Sequence, residues 1–283
     1  LLSNMKHPYT RALFNASTHR VVMPEAISSE TLLSVDSVVR TYTLPRNKIL
    51  GSRPNFNALD NVKFHIGHGE RVGLVGESGC GKSTLTRAIL GVEDVQSGQI
   101  TLDGEPVFSG NKPNLDVRRK MQVVFQDPYS SFNPRHRVDR LIAEPLHVLE
   151  NPPVGKLKDL AILKALEDVG LMASDAKKFI HEFSGGQRQR IAIARALIIE
   201  PELIIFDEAV SALDVSVRAQ VLDLIAELCH KRPLAYLFIS HDLSVVRTVT
   251  DRVMIMRAGK IVEHGETEKV FTNPQNPIKK KIF

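Results

Sequence analysis

Gly76-Glu77-Ser78-Gly79-Cys80-Gly81-Lys82-Ser83 is the stretch on which the reading of this chain turns. It fits the pattern G-x-x-x-x-G-K-[ST], follows the short apolar run Arg71–Val75 and leads into the helically spaced Thr84–Leu90, the strand–loop–helix context the pattern requires. The glycines let backbone N–H groups converge on phosphates, and the helix N-terminus adds favourable dipole charge. Lys82 can reach the β and γ phosphates, and Ser83 offers a hydroxyl to Mg²⁺. The candidate nucleotide-binding residues are therefore Gly76, Glu77, Ser78, Gly79, Cys80, Gly81, Lys82, Ser83 and Thr84. The bland alternative is a glycine-rich turn without a ligand, and its context argues against it.

Further along, the apolar run Leu203-Ile204-Ile205-Phe206 ends in Asp207-Glu208. A buried strand of this kind delivers Asp207 to the C-terminal edge of a sheet, beside bound phosphates, where it can hold Mg²⁺ directly or through water. Glu208 is then positioned to orient the attacking water or take its proton. Ser184-Gly185-Gly186-Gln187 precedes a second helical run, Arg188–Ile199. On residue types alone it is either an ordinary capped helix or an anion site at a helix N-terminus.

Composition sets the outer bounds. The chain has 283 residues, 43% hydrophobic and 24% charged, enough for one large domain or a domain with a subdomain. No run approaches the roughly 18 to 20 apolar residues of a membrane helix, and no signal-peptide pattern opens the chain. Cys80 and Cys229 lie in unrelated local patterns, which predicts free thiols rather than a disulfide framework or a metal cluster. The formal net charge is +5, but Lys and Arg are scattered apart from Lys279-Lys280-Lys281. With no RNP-like or helix-turn-helix pattern, no nucleic-acid partner is expected; a solvated basic face, near an anionic membrane surface, accounts for the charge.

The pattern along the chain alternates strands and helices, which predicts an α/β fold around a largely parallel, covered sheet. Strand-like runs fall at Leu32–Val39, Val62–Ile66, Arg71–Val75, Leu203–Phe206, Ala235–Ile239 and Val253–Met256, with a long loop or hairpin tip from Pro45 to Asn57. A mostly helical insert is expected from Val138–Leu149, Lys158–Val169 and Ala173–Ile180, and a further helix from Val215–His230.

Taken in order, these residues resemble the nucleotide-binding subunits of ATP-binding cassette (ABC) transporters, over roughly Leu32 to Phe283. Gln126, in Val123-Val124-Phe125-Gln126-Asp127-Pro128, is similar to the family's Q-loop. Ser211-Ala212-Leu213-Asp214 resembles its D-loop, and His241, after Leu237-Phe238-Ile239-Ser240, its H-loop. The resemblance implies a P-loop NTPase fold: an ABC-type RecA-like core with an N-terminal antiparallel β subdomain and an α-helical subdomain. It implies ATP and Mg²⁺ as cofactors. Tyr42 would stack on adenine; Ser83, Gln126 and Asp207 would hold the metal; Glu208, His241 and Gln126 would act in catalysis. Ser184, Gly185, Gly186, Gln187 and Asp214 would close on the nucleotide of a second cassette. A half-buried strand tyrosine remains the alternative for Tyr42.

Within that family, Val124–Arg135, Phe183–Ala196 and Asp207–Val217 look like the dipeptide/oligopeptide import group, whose relatives carry peptides, glutathione, nickel or microcin C. This implies two transmembrane permease subunits, an external substrate-binding protein and a peripheral position on the cytoplasmic face of the bacterial inner membrane. Ala209-Val210 departs from the usual Pro-Thr, at a turn. No iron–sulfur cluster is expected, since no cysteines follow the core. Lys6–Phe14 resembles Gln275–Phe283 and follows the group's tail pattern better than the C-terminus does, so residues 1–30 are read as the tail and linker of a preceding cassette. The expected division is then 31–126 for the β subdomain and first part of the core, 127–183 for the helical subdomain, 184–271 for the rest of the core, and 272–283 as a tail. A soluble ABC ATPase acting on ribosomes or nucleic acid is the alternative from another class, and a non-hydrolysing cassette a third.

Overall fold

In a computed structural model, residues 21–25, 30–45, 53–110, 112–127 and 129–272 are described. The Lys6–Phe14 and Gln275–Phe283 segments lie outside them. The strands are β1 (Thr31–Thr43), β2 (Asn55–Gly67), β3 (Arg71–Gly76), β4 (Ser97–Leu102), the two-residue β5 (Glu105–Pro106), β6 (Phe108–Ser109) and β7 (Lys112–Pro113), β8 (Met121–Phe125), β9 (Leu203–Asp207), β10 (Ala235–Ile239), β11 (Arg252–Arg257) and β12 (Lys260–Glu266). The α-helices are α1 (Lys82–Ile89), α2 (Leu115–Arg119), α3 (Val138–Ala143), α4 (Lys156–Asp168), α5 (Gly185–Leu197), α6 (Val215–Lys231), α7 (Leu243–Val249) and α8 (Thr267–Thr272).

The chain divides into two compact units. One holds Ala26–Gln122, Glu202–Asp207 and Leu234–Phe283; the other holds Leu1–Glu25, Val123–Pro201 and Glu208–Pro233.

The first unit carries two main sheets and the two-stranded ribbon β6-β7. An antiparallel sheet runs in the order β2-β1-β4-β5, and the larger sheet runs β12-β11-β3-β10-β9 with β8 at its edge. In that larger sheet β11, β3, β10 and β9 are mutually parallel, and only β12 is reversed. All six residues of β3 and all five of β10 are buried, as a parallel sheet covered on both faces demands. Phe206, Tyr236 and Phe238 form the aromatic heart, with Phe206 and Tyr236 meeting edge-on at 5.4 Å between ring centroids. Each such fully buried ring contributes about 1.5–3 kcal/mol of transfer free energy. The Tyr236 hydroxyl donates to the Val249 carbonyl, so no polar atom of that ring is stranded.

The second unit packs helices α3 to α6. Helix α4 buries Ile162, Ala165 and Leu166, the i, i+3, i+4 stripe of an amphipathic helix, while α5 buries Ile191, Ala192, Ile193, Ala194, Ala196 and Leu197, more than one face of the helix.

Three segments differ from the sequence expectation. Val138–Leu149 is not one helix, because Pro145 lacks an N–H; α3 ends at Ala143 and the chain continues as a 3₁₀ turn, Glu144–Val148. Ala173–Ile180 forms two 3₁₀ turns, Ala173–Lys177 and Ile180–Glu182. The Asp175 carboxylate accepts from the Met172 N–H at 3.0 Å and pairs with Lys178 at 2.7 Å, a local bond that competes with helix propagation. Strand β2 begins at Asn55, so the loop expected up to Asn57 is shorter.

Candidate functional site

The sheet of the first unit sets its chemistry at one edge. Ile239 lies opposite both Asp207 on β9 and Leu74 on β3, so the C-terminal ends of the three strands stand level. Gly76 leaves β3 there, Ser240-His241 leaves β10, and Asp207 closes β9. In an open α/β sheet this edge is where ligands bind. Adjacent strands are about 4.8 Å apart, so Asp207 stands about 10 Å across the sheet from the start of the phosphate loop.

The loop itself is tightly specified. Gly81, the N-cap of α1, has φ of 114°, and a Cβ built on it would lie 2.2 Å from the Ala58 carbonyl oxygen, so only glycine fits. The Gly259 N–H donates to the Cys80 carbonyl at 2.9 Å, while the Gly259 carbonyl accepts from the Asp60 N–H at 2.9 Å; the β11–β12 turn thus braces the loop against β2. Helix α1 has no side-chain cap bond and no acidic residue in its first turn, and Arg87 lies in its last, the electrostatics of an anion-binding N-terminus. The Lys82 ammonium is buried and donates to the carbonyls of Gly76 at 2.8 Å and Glu77 at 3.1 Å, poised at the loop it would share with phosphate. Glu77, Ser78, Gly79 and Ser83 are exposed around it, and Cys80 and Thr84 are buried. Among the described residues neither cysteine is in a disulfide, and both are buried.

Asp207 is half-buried. Its successor Glu208, the first residue of the second unit's next segment, has φ of 52°. A left-handed backbone at a non-glycine residue costs about 1–2 kcal/mol, and such strain concentrates at functional positions. The Ser211 N–H and hydroxyl both donate to the Glu208 carbonyl, at 3.0 and 2.8 Å, which holds the turn.

In the second unit Ser184-Gly185-Gly186-Gln187 opens α5. Ser184 Oγ accepts from the Gln187 N–H at 3.4 Å, and Gln187 Oε1 accepts from the Ser184 N–H at 3.0 Å, a capping box. A Cβ on Gly186 would lie 2.3 Å from Val217 Cγ1, so the α5 and α6 N-termini approach as closely as glycine permits. Asp214 caps α6 by accepting from the Val217 N–H at 3.0 Å, and this backbone bond, with one from the Ser216 hydroxyl, holds its carboxyl below the ordinary value. Gln126 is exposed just past β8. The segment after it is anchored to α5: Arg195 donates to the Ser131 carbonyl and hydroxyl, both at 3.1 Å, and lies 4.6 Å over the Phe132 ring, while Arg188 lies 4.9 Å over Tyr129. Burial pulls the Arg195 guanidinium below its ordinary pKa, only partly offset by Glu144.

The structure therefore gathers Tyr42, residues 76–84, Asp207 and His241 in the first unit, and Gln126, residues 184–187, Glu208 and Asp214 in the second; Asp207 and Glu208 are joined by one peptide bond. Sequence reasoning missed the environment of Tyr42. Its hydroxyl donates to Glu93 Oε1 at 2.7 Å, and Arg40 and Arg87 grip the same carboxylate. No local pattern signals it, because Glu93 is 51 residues away.

A phosphate loop opening a helix, and an acidic strand end level with it on a parallel sheet flanked by an antiparallel meander, define a P-loop nucleotide-binding cassette. Residues 59–211 match the family model described as ABC transporter. The chain belongs to the ABC transporter family. It is 43% identical over 257 residues to the oligopeptide transport ATP-binding protein OppF of Bacillus subtilis, spanning 90% of this chain and 82% of that protein. It is 45% identical over 261 residues to the dipeptide transport ATP-binding protein DppF of Haemophilus influenzae, spanning 92% and 79%. Among solved structures, the ATP-binding cassette MJ0796 in a dimeric post-hydrolysis state with ADP and Pi matches with a TM-score of 0.71 at 26% identity, over 83% of this chain and 99% of that one. The cassette cbiO1 of Clostridium perfringens, part of the transporter complex cbiONQ, matches with a TM-score of 0.73 at 26% identity, over 90% and 95%.

Proposed function

We propose that this chain binds and hydrolyses ATP to power an importer of peptides or peptide-like substrates, as one of two cassettes that clamp nucleotide between them. The observation that carries the ATPase reading is the level edge of β3, β10 and β9, with the phosphate loop, His241 and Asp207 along it. The transport reading draws on the relatives named for oligopeptide and dipeptide transport, and the two-cassette reading on the dimeric neighbour. These relatives give no support to a role on ribosomes or nucleic acid.

Lys82 and the α1 N-terminus bind the β and γ phosphates, and Tyr42 carries the adenine. Glu208 takes a proton from the attacking water as that water adds to the γ phosphorus; the bond to the ADP oxygen breaks and ADP leaves. His241 donates to the γ phosphate. The donors Ser83, Asp207 and Gln126 are all oxygen, the hard set that suits Mg²⁺, which when bound would neutralise charge on the phosphates. Ser184, Gly185, Gly186, Gln187 and Asp214 complete the site of the partner cassette.

No described helix is long and apolar enough to cross a membrane. The partners in this reading, which draws on the relatives named for peptide transport, are two permease subunits that span it, with an external binding protein delivering cargo and this chain peripheral on the cytoplasmic face. Replacing Lys82 by Ala in the native gene tests the whole reading: peptide uptake should fall to background, and unchanged uptake would contradict it.

A further inference from the structure

The Tyr42 ring is held at its hydroxyl and over one face by residues that the proposed roles do not use. Its hydroxyl donates to Glu93 Oε1 at 2.7 Å, and the Arg40 guanidinium lies 5.1 Å over one face, leaving a half-buried ring with its other face uncovered by this pair. Arg40 donates to the same oxygen at 3.1 and 2.6 Å, and Arg87 donates to Glu93 Oε2 at 3.0 Å. Burial pushes the Glu93 carboxyl up, but the bonds from Tyr42, Arg40 and Arg87 outweigh it and keep the group below the ordinary carboxylate value, hence charged. Glu93 is in turn fastened to the phosphate helix: the N–H groups of Val92 and Glu93 both donate to the Arg87 carbonyl, at 2.9 and 3.2 Å.

One carboxylate thus ties the candidate base platform on β1 to the last turn of α1, whose first turn carries the phosphate loop. Without it, two guanidinium groups face one another across a vacated site, and the Tyr42 ring loses the bond that fixes its plane. Holding a recognition ring in one geometry before the ligand arrives saves the ordering cost on binding.

We propose that Glu93 is a positioning residue for adenine recognition, setting the distance and tilt between the Tyr42 ring and the phosphate loop through Arg40 and Arg87. This rests on the reading that Tyr42 carries the base, so the test separates the two. The measurement is equilibrium binding, with Mg²⁺, of ATP and of inorganic tripolyphosphate to this chain and to its Tyr42→Ala, Glu93→Ala and Glu93→Gln variants. Tyr42→Ala and Glu93→Ala should each weaken ATP about tenfold, the order of one base–aromatic stack, and leave tripolyphosphate unchanged. Glu93→Gln, which keeps an acceptor for the tyrosine hydroxyl, should recover most of the loss. If Tyr42→Ala weakens ATP and Glu93→Ala does not, the positioning role is overturned and the stacking reading stands. If Tyr42→Ala leaves ATP binding intact, the stacking reading falls and this proposal with it. Equal losses of ATP and tripolyphosphate in Glu93→Ala would show general damage to α1 and overturn the role as well.

Discussion

Two helices of this molecule begin in glycine-rich segments, and they are built in opposite ways. At α1 the cap is Gly81 in a left-handed conformation, with no side chain closing the first turn. At α5 the cap is Ser184, and its own Gln187 closes the box from both directions. The first design leaves backbone N–H groups for a ligand. The second ties up the Ser184 and Gln187 N–H groups internally, while the Ser184 O–H donates to no protein acceptor among the described residues, so what α5 offers is a rigid edge with one hydroxyl proton. In the proposed function α1 grips phosphate and α5 is presented to a partner's phosphate, and these place different demands on the same turn.

The contrast is sharpened most by Glu208→Gln. It removes the proposed base without touching either helix start, so hydrolysis should fall about 10²–10⁴-fold while ATP binding persists; retained phosphate release would reassign the base. Next comes Gly81→Ala. A methyl group 2.2 Å from the Ala58 carbonyl, on a backbone at φ 114°, has nowhere to go, and ATP affinity should drop at least about tenfold from about 1–3 kcal/mol of strain, read by calorimetric titration. Gly186→Ala pushes Val217 instead, across the α5–α6 contact. Its cost, about 1–3 kcal/mol from overpacking, should appear in the thermal melt and in hydrolysis by the assembled transporter, with ATP binding to the chain unchanged. Ser184→Ala is milder, removing a cap worth about 1 kcal/mol, visible as faster amide exchange in the first turn of α5.

The smallest effect is on pH dependence. Burial pushes the Glu70 carboxyl up, but bonds from Arg252 and the Gly67 N–H prevail and hold it below its ordinary 4.5. A depressed folded-state pKa means that the pair's stabilisation is fully present above 4.5 and lost as pH falls through the lower folded value. Acid melting should therefore be shallower in Glu70→Gln, and an unchanged slope would remove the pair from the account.

How far the sequence carried varies with the kind of constraint. Ala235–Ile239 is read to the residue and Arg71–Val75 nearly so, because a doubly covered parallel strand is a continuous apolar run with sharp ends. Only Val62–Ile66, five of the thirteen residues of β2, reads as strand. Its outward residues are Asn, Asp, Lys and His, and its pairing with β1 shifts register near Val35–Val38 and Val38–Arg40, where Ser37 and Asn61 both take φ of 54°. Bulges of that kind hide the period-two signal. Strands β4, β8 and β12 gave no expectation: β4 and β12 are exposed at alternate or terminal positions, and β8 buries only Met121 and Val124. The phosphate loop, Asp207-Glu208 and Ser184–Gln187 were legible because contiguous residues carry their chemistry. The brace of Gly259 on Cys80 and the clasp of Glu93 on Tyr42 were not, since each joins segments far apart in the chain.

The division between the two helix starts is tested most directly by equilibrium ATP binding to the Gly81→Ala and Gly186→Ala chains side by side, each first shown to be folded. Affinity should fall at least about tenfold in the former and stay intact in the latter; equal losses in both, or intact binding in Gly81→Ala, would contradict that division.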